Sequence, residues 1–259
     1  MSDLPVIKSL WIGPALSRLE RLSLLSFVAA GHEVQLFTYG PLDVPEGITV
    51  RDGRDILPED AIIRRRRNGG IEPFADLFRY VLIGMEGGIW VDTDQVCLKP
   101  FDFTADRYVM GWQGSGLAAN GVYGAPRESA MARHLLAIGR DPPRLPVWAG
   151  SVTMLRVIAG VATGGNDSPA DAPWGTYGPA LFTAAVRKFG LEGHVQPPDV
   201  FYPLPWPKAD LLFEEPWRTE ERFTERTLGI HLWNHMIGHR KKEPFPQGSY
   251  LAALARRFL

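Results

Sequence analysis

Residues 73–94 constrain the fold most. Phe74, Leu77, Phe78, Val81, Leu82 and Met85 recur at three-and-four spacing, which predicts a helix with one core-facing stripe. Pro73 suits its first position, and Gly87-Gly88 ends it and permits a tight return. Ile89-Trp90-Val91 then reads as a buried strand that carries Asp92-Thr93-Asp94 at its end. In an extended chain, side chains two apart share a face, so Asp92 and Asp94 are expected to lean toward one point. Carboxylates so placed repel each other unless a cation lies between them. Mg²⁺ commonly takes one or two carboxylates plus substrate phosphates. An Asp-x-Asp triplet also occurs in solvated turns. The strand before this one, the apolar run 95–98 after it and the helix feeding in favour a metal site at a sheet edge, where α/β proteins bind ligands.

The remainder supplies the frame for that site. Residues 6–12 read as a first strand, closed by Gly13-Pro14. Ser17-Arg18-Leu19-Glu20 is a capping-box pattern, and Leu19, Leu22, Phe27 and Val28 give the helix an apolar side up to Gly31. Residues 33–39 alternate as a second strand. Strand, capped helix, strand is a βαβ unit and implies a largely parallel sheet. Residues 48–50 form a short third strand. The run Arg64-Arg65-Arg66-Arg67 reads as a solvated loop in preference to an anion contact. Residues 108–112 and 122–123 read as strands flanking a small, flexible stretch at 114–121, and 127–138 as a helix. Residues 151–158 read as helical, and the Gly/Pro/Asp-rich 163–174 as a lid or acceptor loop. Gly178-Pro179 opens a helix through 189, and 195–207 is proline-rich and irregular. A last strand at 228–233 runs into His231-Leu232-Trp233-Asn234-His235, and an amphipathic helix at 249–259 closes the chain. No repeat or linker breaks the 259 residues, so 1–259 is expected to be one domain.

The formal net charge of −1 gives no electrostatic case for nucleic acid. Cys97 is the sole cysteine, which excludes an internal disulfide. No basic leader with an apolar core opens the chain, and no run approaches the roughly 20 apolar residues that span a bilayer. The expected compartment is the cytoplasm, with a peripheral membrane contact left open. Several of the eight Trp are expected to line a pocket, because a buried indole N–H wants a partner.

The run Ala75-Asp76-Leu77-Phe78-Arg79-Tyr80, followed by Gly87-Gly88-Ile89-Trp90-Val91-Asp92-Thr93-Asp94, resembles the core signature of the DXD-sugar-binding glycosyltransferases. That group includes mannosyltransferases, α-1,4-galactosyltransferases and the large clostridial glucosylating toxins. Leu10-Trp11-Ile12-Gly13, Gly178-Pro179 and His231-Leu232-Trp233 resemble its other landmarks. The resemblance implies an α/β GT-A (Rossmann-like) fold, a mixed and mostly parallel sheet flanked by helices. It also implies a UDP- or GDP-sugar donor, Mn²⁺ or Mg²⁺, and retention of anomeric configuration. Carried over, Trp11 stacks on the donor base with Ile12 beside it, and Asp76 and Arg79 hold donor-sugar hydroxyls. Asp92 and Asp94 hold ribose and metal, with Asp94 the direct ligand. His231 is the candidate for a further metal ligand, with Asn234 or His235 as substitutes, and the Trp233 indole N–H meets the leaving phosphate. Asp94, Asp92, Arg79 and Trp233 then form the catalytic set.

The expected function is metal-dependent retaining hexosyl transfer to a glycan, lipid or protein acceptor, with cell-envelope or capsular polysaccharide synthesis as its setting. Breaking a sugar–diphosphate bond leaves charge on the departing nucleotide, and a bound cation stabilises it as it develops. A His ligand tilts the preference toward Mn²⁺. Two rivals are a metal-dependent phosphohydrolase or nucleotidyltransferase, which would need further carboxylates, and a non-catalytic nucleotide-sugar-binding protein.

Overall fold

The computed structural model describes residues 4–114, 116–144, 146–149, 155, 158–159, 169–241 and 243–259. The expected helix at 151–158 and the first part of the 163–174 loop lie largely outside them. Strand β1 (Ile7–Trp11), helix α1 (Arg18–Ala29) and strand β2 (Val34–Thr38) form the predicted βαβ unit. Its helix starts where the sequence signals it. The Ser17 hydroxyl accepts from the Leu19 N–H, and the Ser17 N–H donates to the Glu20 carboxylate at 2.8 Å, closing a capping box. Strand β3 (Ile48–Asp52) adds to the edge in parallel. Helix α2 (Glu72–Glu86) then returns through Gly87 and Gly88 into β4 (Ile89–Val91). Both glycines have positive φ, 70° and 84°, and a Cβ on Gly88 would lie 2.9 Å from the Val6 carbonyl. Only glycine makes that turn without strain.

β4 pairs with β1 in parallel, so the first strand of the βαβ unit and the strand leading into the acidic triplet are neighbours. The sheet continues through β7 (Ala118–Gly124) and β6 (Val109–Trp112), giving the order β3-β2-β1-β4-β7-β6. β7 runs against both its neighbours, and the other strands share one direction. This is the mixed, mostly parallel sheet flanked by helices expected of a GT-A fold. Residues 118–121, expected to be flexible, are instead the first half of β7 and are fully buried. Their small side chains are packing-driven: the strand lies against Tyr202, His231 and Asp92, which leave no room for bulk. A separate antiparallel pair, β5 (Gln95–Cys97) with β8 (Gly229–His231), brings the C-terminal segment beside the acidic triplet.

Alternate residues of one strand feed two cores. Ile89 and Val91 pack with α1 and with α5 (Tyr250–Phe258), whereas Trp90 packs with α2, α3 (Ala130–Arg140) and α4 (Leu181–Lys188). Cys97 is buried and free. Among the described residues no helix is long and apolar enough to cross a membrane.

Helix α2 carries Asp76 and Arg79, and its position depends on a close approach by α3. A Cβ on Gly139 would lie 2.8 Å from the Leu77 carbonyl and 2.7 Å from Val81 Cγ2. A helical Gly→Ala change ordinarily stabilises by about 1 kcal/mol. Here overpacking reverses the sign, and Gly139→Ala is expected to destabilise by about 1–3 kcal/mol. A lowered urea midpoint at unchanged slope checks this, and a raised midpoint contradicts it.

Candidate active site

Asp92 and Asp94 converge, but not by strand alternation. The chain turns after β4, with the Gln95 N–H donating to the Asp92 carbonyl at 2.9 Å, and it is this turn that aims the two carboxylates at one point. His231, at the end of β8, faces the same point. Its Nε2 lies 3.3 Å from Asp94 Oδ1 and 3.7 Å from Asp92 Oδ2, and one ligating atom from each of the three residues falls within 4.8 Å of the others. Among the described residues this is the only grouping of three or more such side chains.

A buried guanidinium fixes the first carboxylate. Arg79 is 5% exposed. Its Nη1 lies 2.8 Å from Asp92 Oδ1 as an ion pair and donates to the Asn120 carbonyl at 2.8 Å, its Nε donates to the Ala75 carbonyl, and its Nη2 lies 3.3 Å from Asp76 Oδ1. The guanidinium also sits 4.7 Å from the Trp90 ring centroid, and the Trp90 indole donates to Asp92 Oδ1 at 2.9 Å. Burial pushes the Asp92 carboxyl up, yet Arg79, His231 and Trp90 together hold it below the usual carboxylate range. Asp76 is the counter-case. Burial raises it to about 6 despite Arg79 and the Asn120 amide, which donates to it at 2.8 Å.

Asp94 is held from the C-terminal side. The Asn234 backbone N–H donates to Asp94 Oδ2 at 2.7 Å. That N–H points there because Trp233 adopts φ 57°, the only non-glycine positive φ among the described residues. A bulky residue in that region is an outlier that the surroundings must enforce. The enforcing contact is the Trp233 indole N–H, which donates to the Leu204 carbonyl at 2.7 Å. This corrects the role carried over for Trp233: it lines the site, but its N–H is spent inside the protein and does not face a leaving phosphate. The Asn234 side chain donates to Glu20, which is fully buried and also accepts from Lys241.

His231 reports what the site is built to hold. The Trp233 N–H donates to its Nδ1 at 3.1 Å, so a neutral ring carries its hydrogen on Nε2, facing both carboxylates. Burial lowers the imidazole pKa, but Asp94 and Asp92 outweigh it and raise it. A cation drawn to the same point competes with that hydrogen. Ligation through Nε2 would also cost the Trp233 N–H its partner, because Nδ1 must then carry the hydrogen. The space itself suits an ion: a Cβ on Gly121 would lie 2.8 Å from Asp92 Oδ2 and 3.4 Å from His231 Nε2. Two carboxylates and an imidazole are a donor set for a divalent first-row metal.

The three residues open into a cavity of about 320 Å³ that Trp11, Asp76, Arg79 and Trp174 also line. Trp11 is half-buried there, and its indole N–H is buried without a hydrogen-bond partner. Ile12 does not line the cavity. It packs on the core beneath, and Leu10 takes the lining position. His235 is exposed at the rim, 5.6 Å from Trp174 between ring centroids. Asn120, Gly121 and the Asn234 N–H escaped sequence reasoning. The signal available for the first two was the small-residue run at 118–121, whose lack of bulk marks close approach as well as flexibility.

Two outcomes test this geometry. Gly121→Ala, in ordinary strand conformation, is expected to keep the fold and lose at least about tenfold in Mn²⁺ affinity, as expected when a ligand's geometry is displaced; unchanged affinity by titration calorimetry contradicts it. Asp76 has a folded pKa raised above its unfolded value, so its stabilisation is full below pH 4 and lost as pH rises through about 6. Asp76→Asn is therefore expected to gain about 2–3 kcal/mol over the natural protein between pH 4 and 7.5. Urea midpoints at the two pH values measure it.

Two family models match the chain. One is described as a glycosyltransferase sugar-binding region containing a DXD motif and matches residues 69–110, which hold α2 and the acidic triplet. The other is described as an alpha 1,4-glycosyltransferase conserved region and matches residues 170–258, which hold His231 and Trp233. A solved structure described as PaToxG Glycosyltransferase is similar over 99% of this chain and 84% of its own, at 13% identity and a TM-score of 0.47. The two matched regions meet in space at Asp92, Asp94 and His231. Both matched regions are thus described as glycosyltransferase regions, and between them they hold all three residues of the trio.

Proposed function

We propose that the protein moves a hexose from a UDP- or GDP-sugar to an acceptor hydroxyl, with a divalent metal and with retention of anomeric configuration. The observation that carries this is the trio Asp92, Asp94 and His231 facing one point over Gly121 at the floor of the cavity. Asp94 and Asp92 would hold the ion, with His231 as third donor. When bound, the ion draws electrons from the departing diphosphate.

The chain's own residues do the rest. Trp11 presents a ring at the cavity wall for the base. Asp76 and Arg79 are fixed to each other and to β7, so they offer donor-sugar hydroxyls a rigid clamp. The same ties argue against a covalent route. Asp92 is committed to Arg79 and Trp90, and Asp76 to Arg79 and Asn120. Neither of these two carboxylates is free to act as a nucleophile. Retention is better served by same-face substitution, in which the departing phosphate oxygen takes the acceptor proton.

The setting proposed is cell-envelope or capsular glycan assembly in the cytoplasm. A panel of nucleotide sugars with Mn²⁺, read as nucleoside diphosphate released, tests the reading. Asp94→Ala is expected to lose roughly 10²–10³-fold in both transfer and donor hydrolysis with the fold kept, the size of removing a major electrostatic contact. A fully active, folded Asp94→Ala enzyme contradicts it. Trp11→Ala is expected to raise the donor KM about tenfold, in line with one lost base stack.

A further inference from the structure

A second recess of about 340 Å³ adjoins the donor cavity and shares Glu72 and Trp174 with it. Its walls come from the 64–70 loop and the 169–174 segment. The loop is a closed turn, with the Arg65 N–H donating to the Gly70 carbonyl and the Gly69 N–H to the Arg65 carbonyl, both at 2.8 Å. The arginine run is therefore not uniformly solvated. Arg65 turns inward, its side chain 15% exposed, and donates to the Ala172 carbonyl at 2.8 Å, which ties the two walls together.

The recess concentrates unmet hydrogen bonds. Among the described residues eight buried side-chain polar atoms lack a hydrogen-bond partner, and three of them, Arg65 Nε, Glu72 Oε2 and Asp171 Oδ2, belong to residues that line this one recess. Arg65 Nε lies 3.8 Å from Glu72 Oε2, and Arg66 Nε lies 3.4 Å from Asp171 Oδ2, ion pairs without hydrogen-bond geometry. Unsatisfied buried polar groups are costly, and their clustering beside a cavity points to a ligand that satisfies them.

The mixture of charges identifies the ligand class. An anion site would exclude the carboxylates, a cation site would exclude the guanidinium, and an alkyl chain would meet an apolar lining. A polyol hydroxyl both donates and accepts, so it can bridge Arg65 to Glu72 or Asp171. Trp174, 58% exposed, stands between the two cavities and offers a flat apolar face for a sugar ring.

Resting on the donor reading above, we infer that this recess is the acceptor subsite and that the acceptor is a carbohydrate, not a lipid or a peptide. Its hydroxyl oxygen forms the new bond to the anomeric carbon, the bond from that carbon to the diphosphate oxygen breaks with its electron pair leaving on the nucleotide, and the acceptor proton leaves with that phosphate.

The test measures nucleoside diphosphate release from UDP-glucose, UDP-galactose, UDP-N-acetylglucosamine and GDP-mannose with Mn²⁺. Acceptor probes are the methyl glycosides of glucose, galactose and mannose, lactose, octanol and a Ser/Thr peptide. A saccharide is expected to stimulate release above hydrolysis by water. Asp171→Asn and Glu72→Gln are each expected to raise the KM for that saccharide about tenfold, the loss of one hydrogen bond to a charged group, with the donor KM moved much less. Donor hydrolysis without stimulation by any saccharide, stimulation by octanol or peptide alone, or an unchanged saccharide KM in both variants overturns the subsite and leaves the donor reading standing. Absence of release from every nucleotide sugar overturns both.

Discussion

The site depends on one buried positive charge. Arg79 sits inside the protein with Asp92 and Asp76 on either side, the Trp90 face against it and two backbone carbonyls accepting from it. Burying a guanidinium alone would be prohibitive, and its desolvation is offset because two carbonyls accept from it and two carboxylates neutralise it. The consequence is geometric. Helix α2, strand β4 and strand β7 are locked to one another through a single side chain, and Asp92 cannot rotate away from the point where Asp94 and His231 also aim. The two glycines that turn α2 into β4 and the close approach of α3 at Gly139 serve the same end by fixing where Arg79 starts.

Other local departures from comfort gather around this charge. Asp76 is held at a raised pKa, Trp233 at a positive φ, and Trp11 with an unmet indole N–H. Each lowers the stability of the empty protein, and each positions a group toward the cavity. Such clustering is characteristic of sites whose geometry is selected for a ligand. The polar recess at Arg65, Glu72 and Asp171 extends the pattern away from the acidic triplet.

The half of the site that comes from contiguous sequence was legible in it. The three-and-four stripe from Phe74 to Met85, the Gly87-Gly88 stop and the strand into Asp92 are local signals, and the capping box at Ser17 and Glu20 is another. The convergence of Asp92 and Asp94 was also legible, but for another reason than strand alternation, since a turn produces it. What was not legible arises where distant segments meet. The small run at 118–121 looks flexible by composition and is a buried strand because Tyr202 and His231 press on it. Trp233 seemed to offer its N–H to a ligand, and only the Leu204 carbonyl, from a proline-rich segment of no clear periodicity, shows otherwise. Arg65 could not be told from its neighbours in a row of four, because its inward turn is set by the Ala172 carbonyl more than a hundred positions away.

The central claim is that the trio grips an ion jointly with a diphosphate. Counting bound Mn²⁺ by electron paramagnetic resonance, with and without UDP or GDP, tests it most directly. The account predicts a single ion per chain, held weakly by the protein alone and markedly tighter once the nucleoside diphosphate is present. Two ions per chain, or an affinity indifferent to the diphosphate, would contradict it.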